Sequence, residues 1–217
     1  MIDHGAVLLA CRTKLAALSV ATTGSVSLTA TSSGYTRSTG SFLTDGFAPG
    51  MELVGAGFSN DENNAAKTIT SVSTLQISAA GCVAETAGTR SLTVGVPAGI
   101  ASENIPYTPT QGVSYFGEQY VPGPAYQLTI GPLGTLEARP LYVVTIHVPQ
   151  KTGVLGTWGY VKALLTLFAP GTALTVTDHV VIVRRDAAPY AGAMQWSDSF
   201  ATVTVTIPLR VRVANSI

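Results

Sequence analysis

Apolar and polar positions change rhythm three times along this chain. In residues 2–20, Leu8, Cys11, Leu15 and Leu18 recur at i, i+3, i+7 and i+10, the spacing of one helix face. Asp3 stands where a carboxylate accepts the free N–H groups of a first turn, and Arg12 and Lys14 lie off the apolar stripe. Residues 22–94 carry no helical period and are dominated by Thr, Ser, Gly, Ala and Val. Alternation at 25–31 (SVSLTAT), a strand end and turn through 42–50 (FLTDGFAPG), and apolar runs at 51–54, 67–72, 75–78 and 91–94 predict short strands, with a polar loop at 60–64. Short strands at this spacing make a small β-sandwich or barrel.

From residue 95 the texture changes again. Residues 95–123 are rich in Pro and Gly, with Tyr107, Tyr115, Phe116 and Tyr120 interspersed, and read as an extended, loop-like arm. A short strand is expected at 126–130, then a glycine loop at 131–134. A stronger strand at 139–148 is apolar on both faces and so belongs inside a sheet. Val154, Trp158, Val161, Leu165 and Phe168 form the stripe of a second helix, with Trp158 read as core, and Pro170-Gly171 ends it. One strand is expected over 173–185, a loop over 187–197, and a last strand over 200–213. In that last strand Ala201, Val203, Val205, Ile207, Leu209, Val211 and Val213 share one face, while Thr202, Thr204, Thr206, Pro208, Arg210 and Arg212 share the other. The second face looks at water or at a partner. The whole predicts an α+β chain: a mostly antiparallel sheet backed by two helices, interrupted by a small all-β insertion.

Composition adds one constraint. Charged residues make up only 11% of the chain, against roughly a quarter in ordinary domains, and 12 basic residues balance 12 acidic ones. A surface so poor in charge suits a subunit in contact with copies of itself, and equally a soluble protein with a threonine-rich surface. The balance gives no electrostatic footprint for nucleic acid. Two cysteines make no disulfide framework, and Cys11 reads as a small buried hydrophobe. No apolar run approaches the ~20 residues that span a bilayer, and the N-terminus lacks a charged secretory n-region.

No catalytic pattern is present: no nucleophile elbow, phosphate loop or dinucleotide fingerprint. His147 and His179 stand as possible neighbours on adjacent strands, but a zinc site needs a third ligand and none is evident; two imidazoles bonded to hydroxyls or carbonyls is the other reading. Asp45, Asp61 and Glu62 do not have calcium-loop spacing and read as turn residues. Arg184-Arg185 and the Arg210/Arg212 pair are the local basic concentrations, the latter suited to a salt-bridging edge or a partner contact. Tyr107, Tyr115, Phe116 and Tyr120 read as subunit-contact aromatics, with intramolecular docking the alternative.

The stretch at 103–109, Glu-Asn-Ile-Pro-Tyr-Thr-Pro, resembles the W-x-N-x-P-F-x-P segment of tail terminator (tail completion) proteins of long-tailed, lambda-type phages. Tyr115-Phe116 stand where that family enters a strand, 131–134 resembles its glycine loop, and 141–149 resembles its Y-x-G-x-x-Q-V-x-V-x-x-P strand. Thr152-Gly153 and the helix ending at Phe168-Ala169-Pro170-Gly171 are similar to its second helix. Ser102-Glu103 departs where the family often has Trp nearby, and Leu141 where it has Gly. The likeness spans about 1–21 and 95–217, and residues 22–94 look like the Ig-like sandwich modules inserted in virion proteins, 40–57 most of all. The resemblance implies a virion structural protein of the tail-neck region, made in the host cytoplasm, with no enzyme activity, cofactor or metal. It implies a homohexameric ring that caps the tail tube, stops its growth and offers a surface to the head-completion or stopper protein. Its partners would be itself, the tail-tube protein and that head-side protein, with no membrane and no sequence-specific nucleic acid, DNA passing through the lumen. Tyr107, Tyr115, Phe116, Tyr120, Arg210 and Arg212 become the candidate interface residues. The alternatives are another neck, head-completion or tube protein carrying an Ig-like decoration, a carbohydrate- or surface-binding module using the β insertion, and a hydrolase, for which no nucleophile or acid cluster is evident.

Overall fold

A computed structural model describes residues 1–103, 105–129 and 134–214. Residue 104 of the Pro-Tyr segment, residue 130 of the expected strand and residues 131–133 of the glycine loop lie outside the described residues. The chain is mostly β, with 44% strand and 14% helix.

The first seven strands are β1 (Ala21–Thr22), β2 (Val26–Thr31), β3 (Gly34–Arg37), β4 (Glu52–Ala56), β5 (Lys67–Val72), β6 (Gln76–Ala79) and β7 (Glu85–Val94). They pair only among themselves, in the order β1-β7-β2-β3-β6-β5-β4, and β7 also pairs with β4, which closes the ladder into a six-stranded barrel. Of the sandwich or barrel that the strand spacing predicts, this is the barrel, and it differs from the two separate sheets that the Ig-like resemblance implies. The reason is β7, whose ten residues are long enough to serve two partners. Its Arg90 and Gly88 oppose Val26 and Leu28 of β2, while Leu92 and Ser91 oppose Gly55 and Ala56 of β4. Register shifts in β2 between Leu28 and Ala30, and in β5 between Ile69 and Ser71, add the bends that closure requires. Leu28, Tyr35, Leu53, Ile69, Ile77 and Leu92 fill the interior. Gly34, at φ 144, allows β3 to approach the Ile77 carbonyl of β6 where any Cβ would collide.

The second sheet contains β8 (Gly99–Ser102), β9 (Tyr115–Val121), β10 (Ala125–Gln127), β11 (Thr135–Ala138), β12 (Leu141–Pro149), β13 (Ala173–Val176), β14 (His179–Val183), β15 (Tyr190–Ala191), β16 (Gln195–Trp196) and β17 (Phe200–Ala214). β17 is its axis. One edge pairs in a single register with β12, from Pro149↔Phe200 to Leu141↔Pro208, and on through β11 to Thr135↔Ala214. Pro140, which has no N–H, interrupts this long strand, yet its carbonyl still accepts from Leu209 N at 2.9 Å. The other edge of β17 carries β14, β15 and β16. Outward from β12 lie β9 and then β8, whose pairing is the parallel one in an otherwise antiparallel sheet.

Residues 95–123 are not a loose arm, because β8 and β9 lie within the sheet. Glu118 hid β9, since a carboxylate at an inward position breaks the apolar alternation that marks a strand. Residues 173–185 are a hairpin rather than one strand, reversing at Asp178, whose φ of 63° an Asp side chain tolerates.

Helix α1 (His4–Ala16) is capped as expected, the Asp3 carboxylate accepting from Ala6 N at 3.0 Å. It buries Val7, Ala10, Cys11 and Leu15; Leu18 is also buried but lies past the helix end, and Leu8 is half-buried. A short α2 (Asp61–Asn64) caps one side of the barrel. Helix α3 (Leu155–Leu167) buries the later part of the expected stripe, Val161 and Phe168 with Leu165 packed against the core, but not its start. Gly156, Thr157, Tyr160, Val161 and Leu164 are buried, with Phe168 just beyond, whereas Val154 and Trp158 are exposed. Trp158 is therefore not a core residue. The helix is apolar on two sides, so period alone did not select the buried one. Gly156 and Gly159 selected it, by letting α3 approach Pro49 and Met51 of the barrel.

Barrel and sheet share one continuous apolar core. Glu52 N donates to Tyr160 Oη at 3.2 Å, Ser114 Oγ to the Gly50 carbonyl at 2.5 Å, and Ala98 N to the Glu52 carboxylate at 2.9 Å. At Gly156 a Cβ would lie 2.5 Å from the Pro49 carbonyl oxygen, backbone that cannot swing aside. Gly156→Ala is therefore expected to destabilise the fold by about 1–3 kcal/mol, although alanine is the better helix former by about 1 kcal/mol. A thermal melt that rises instead of falling would refute the close helix–barrel contact.

Candidate interaction surface

Strand alternation divides the second sheet into two faces. The Ala201–Val213 row of β17, with Tyr142, Val144, Ile146 and Val148 of β12 and Phe116, Glu118 and Tyr120 of β9, points toward α1 and α3. Phe116 meets Tyr160 of α3 edge-on at 5.3 Å, and Tyr142 meets Phe168 at 5.9 Å. Arg12 of α1 donates Nε to Glu118 Oε1 at 2.7 Å, and Tyr142 Oη donates to Glu118 Oε2 at 3.0 Å, with Ser102 Oγ completing the set. Burial by itself would raise the Glu118 carboxyl, but these donors outweigh it and hold the carboxyl below its ordinary value.

Among the described residues the opposite face carries no helix. Its centre is a lattice of small half-buried residues, with Thr145 and Thr204 hydroxyls 3.3 Å apart. At one end is an aromatic cluster: Tyr115 and His147 stack at 4.2 Å with planes 4° apart, Phe200 stands edge-on to Tyr115 at 5.2 Å, and Tyr107 lies 5.1 Å away. Thr202 Oγ1 lies 3.2 Å from His147 Nδ1, and burial lowers the His147 pKa. At the other end Glu137, almost wholly buried, accepts from Arg139 Nε at 3.1 Å and Arg212 Nε at 2.8 Å. Burial pushes the Glu137 carboxyl up, and the two arginines more than reverse it. Arg184 forks onto Asp186 at 3.1 and 2.8 Å, holding that carboxyl down at about 2. Arg210, half-buried on the same face, has no partner among the described residues.

The six residues singled out from sequence fall into three groups. Tyr107 and Tyr115 join the aromatic cluster, together with His147 and Phe200, which the sequence reading had not placed there. Phe116 and Tyr120 are strand residues turned into the core, Tyr120 bonded through its hydroxyl to His4 at 2.9 Å. They are not on an unsupported arm, as expected, because β9 packs them. Arg210 and Arg212 lie on the uncovered face as alternation predicts. His147 and His179 are not neighbours, since β17 runs between their strands. His147 meets a hydroxyl, while His179 Nδ1 bonds the Thr177 carbonyl at 3.0 Å and Nε2 accepts from Asp3 N at 3.0 Å. Among the described residues no group of three His, Cys, Asp or Glu side chains is placed to hold a metal. Asp45 is paired with Arg37, and Asp61 and Glu62 occupy the first turn of α2.

The second sheet thus has α1 and α3 packed on one face and a hydroxyl-rich opposite face. A family model described as phage tail terminator protein matches residues 76–212, from β6 of the barrel to near the end of β17. The chain belongs to that family, a structural one, and is a virion tail component. No curated protein matches the chain. One similar solved structure has 19% identity and a TM-score of 0.44, over 54% of this chain and 79% of that one, a level of likeness that carries no argument.

The half-buried His147 imidazole makes stability depend on pH. His147 has a folded pKa below its ordinary 6.5, so the fold binds fewer protons there than the unfolded chain does. Its contribution is complete above the unfolded pKa and is lost as pH falls through the folded one. Glu118 and Glu137 lose theirs only at lower pH, below the ordinary carboxylate value of 4.5. Melting temperature should therefore fall more between pH 7 and pH 5 in the wild type than in His147→Gln, with parallel curves indicating that the stack does not favour the neutral ring.

Proposed function

We propose that this chain is the terminator of a long-tailed, lambda-type phage tail. Six copies close as a ring on the last ring of tube subunits, stop tube growth and present a surface to the head-completion protein at the neck, with DNA passing through the lumen. In this reading residues 1–21 and 95–217 form the ring-building core, and residues 22–94 are a β module carried by it. The observation that supports it best is the uncovered face of β17, fifteen residues long and crossed by Thr202, Thr204 and Thr206, in a chain with 11% charge and no net charge. Such a face is cheap to desolvate, because hydroxyls pair with one another or with a neighbouring backbone, and few ions must be stripped of water. Arg210 and the Tyr107–Tyr115 cluster at its two ends are the proposed contacts to partners.

Native mass spectrometry with negative-stain imaging tests the assembly. Closed six-membered rings, alone or on added tail tubes, are the expected outcome. Open tubes would make the chain a tube subunit, and a monomer that leaves tubes uncapped would end the terminator reading. Arg210→Glu should weaken tube capping or head joining about tenfold while leaving the melting temperature unchanged. Arg210 is the cleaner probe of the pair, because a carboxylate at position 212 would face Glu137.

A further inference from the structure

Both tryptophans of this chain are exposed, Trp158 at 45% and Trp196 at 59%. Register fixes where Trp196 points. It is paired with Ala201, the first residue of the buried β17 row, and opposed residues share a face. The indole therefore leaves the sheet on the helix side, at an edge where β16 has no further strand neighbour among the described residues. Ala191, opposite buried Val205, points the same way and lines a groove with Trp158, Val161 and Leu165 of α3.

The other edge of the same sheet is complementary. Between α1 and β8 lies a pocket of about 410 Å³ with apolar walls from Leu15, Ala16, Val96 and Ile100. Its polar end is Arg12, Ser102 and Glu118. Ile100 is paired with Phe116, a helix-side residue, so this pocket too lies in the helix layer. The rung runs on from Phe116 to Ile146 and from Ile146 to Val203. Val203 is two residues from Ala201, a step of about 7 Å along the strand. Knob and pocket thus sit at opposite edges of one sheet, in one layer and on nearly one rung.

We propose that Trp196 of one copy inserts into the α1–β8 pocket of the next copy. This rests on the ring reading above and identifies its subunit contact. Joining unlike surfaces is a heterologous contact, and it closes into a ring when each step advances little along the axis, as the shared rung provides. The chemistry fits an indole. The Arg12 guanidinium, held in place by Glu118, lines the pocket with its side chain 43% exposed, so an indole can stack on it without displacing it. Ser102 Oγ, which donates its proton to Glu118, keeps its lone pairs for the indole N–H, and the walls are apolar. A second copy is the occupant because both halves of the fit are on this chain and neither edge bears an excess of charge that would repel its copy.

The test compares wild type, Trp196→Ala and Ala16→Trp, the last filling the pocket from its own rim. Positions 16 and 196 are both exposed, so circular dichroism and melting temperature should be unchanged. Native mass spectrometry is run across protein concentration, with and without tail tubes. The expected result is rings for wild type and, for each variant, association at least about thirtyfold weaker, the scale of a buried tryptophan hot spot. Rings of either variant at wild-type concentrations would overturn the tryptophan contact and leave the ring reading standing. A wild type that forms dimers or other small oligomers, dissolved by both substitutions, would end the ring reading and keep the contact. A wild type monomeric under every condition would overturn both.

Discussion

The strict alternation of β17 is the constraint on which the rest depends. Fifteen residues without a break send Ala201, Val203, Val205, Ile207, Leu209 and Val211 to one side, all of them buried. Because side chains repeat every two residues, a slip of one would turn that entire row to solvent. The row therefore fixes the register of β12, β11 and β14 at once. It also draws the helices to that side, where the apolar row is continuous, while the other side of β17 carries hydroxyls and arginines. The face left bare follows from the same alternation.

The helix layer is tied down by charge as well as by packing. Glu118 sits among apolar neighbours, a costly place for a carboxylate unless its oxygens are filled. Arg12 from α1, Ser102 from β8 and Tyr142 from β12 fill them, so one carboxylate joins three elements that lie far apart in sequence. Glu137 does the same on the bare face, joining Arg139 and Arg212 across the β11–β17 ladder. Both buried carboxylates thus hold separate strands or helices together.

The barrel is joined to the sheet by shape more than by charge. Glycines at 156 and 159 of α3 bring its backbone against Pro49 and Met51, and Tyr160 receives the Glu52 N–H. The family match begins at β6, inside the barrel, so the last barrel strands and the sheet fall within one matched segment. The close contact of α3 with the barrel turns the helix so that Val154 and Trp158 face outward, which leaves an apolar flank beside the β15–β16 edge.

Much of this was legible in the sequence where the determining forces are local. The β17 alternation, the Asp3 cap and the stop at Pro170-Gly171 depend on residues within a turn or two of one another. The two faces of the last strand, with Arg210 and Arg212 on the outer one, followed from period alone. What only the tertiary structure decided depends on distant partners. The pairing of one β7 with both β2 and β4 closes a barrel, deciding between the sandwich and the barrel that the strand spacing left open, because no local pattern encodes a second partner. Glu118 masked β9 because its three donors come from positions 12, 102 and 142. Phe116 and Tyr120 passed for exposed aromatics for the same reason, and Trp158 passed for core because a helix apolar on two sides does not declare which side is buried. Burial is a property of what packs against a residue, and that is set by the whole chain.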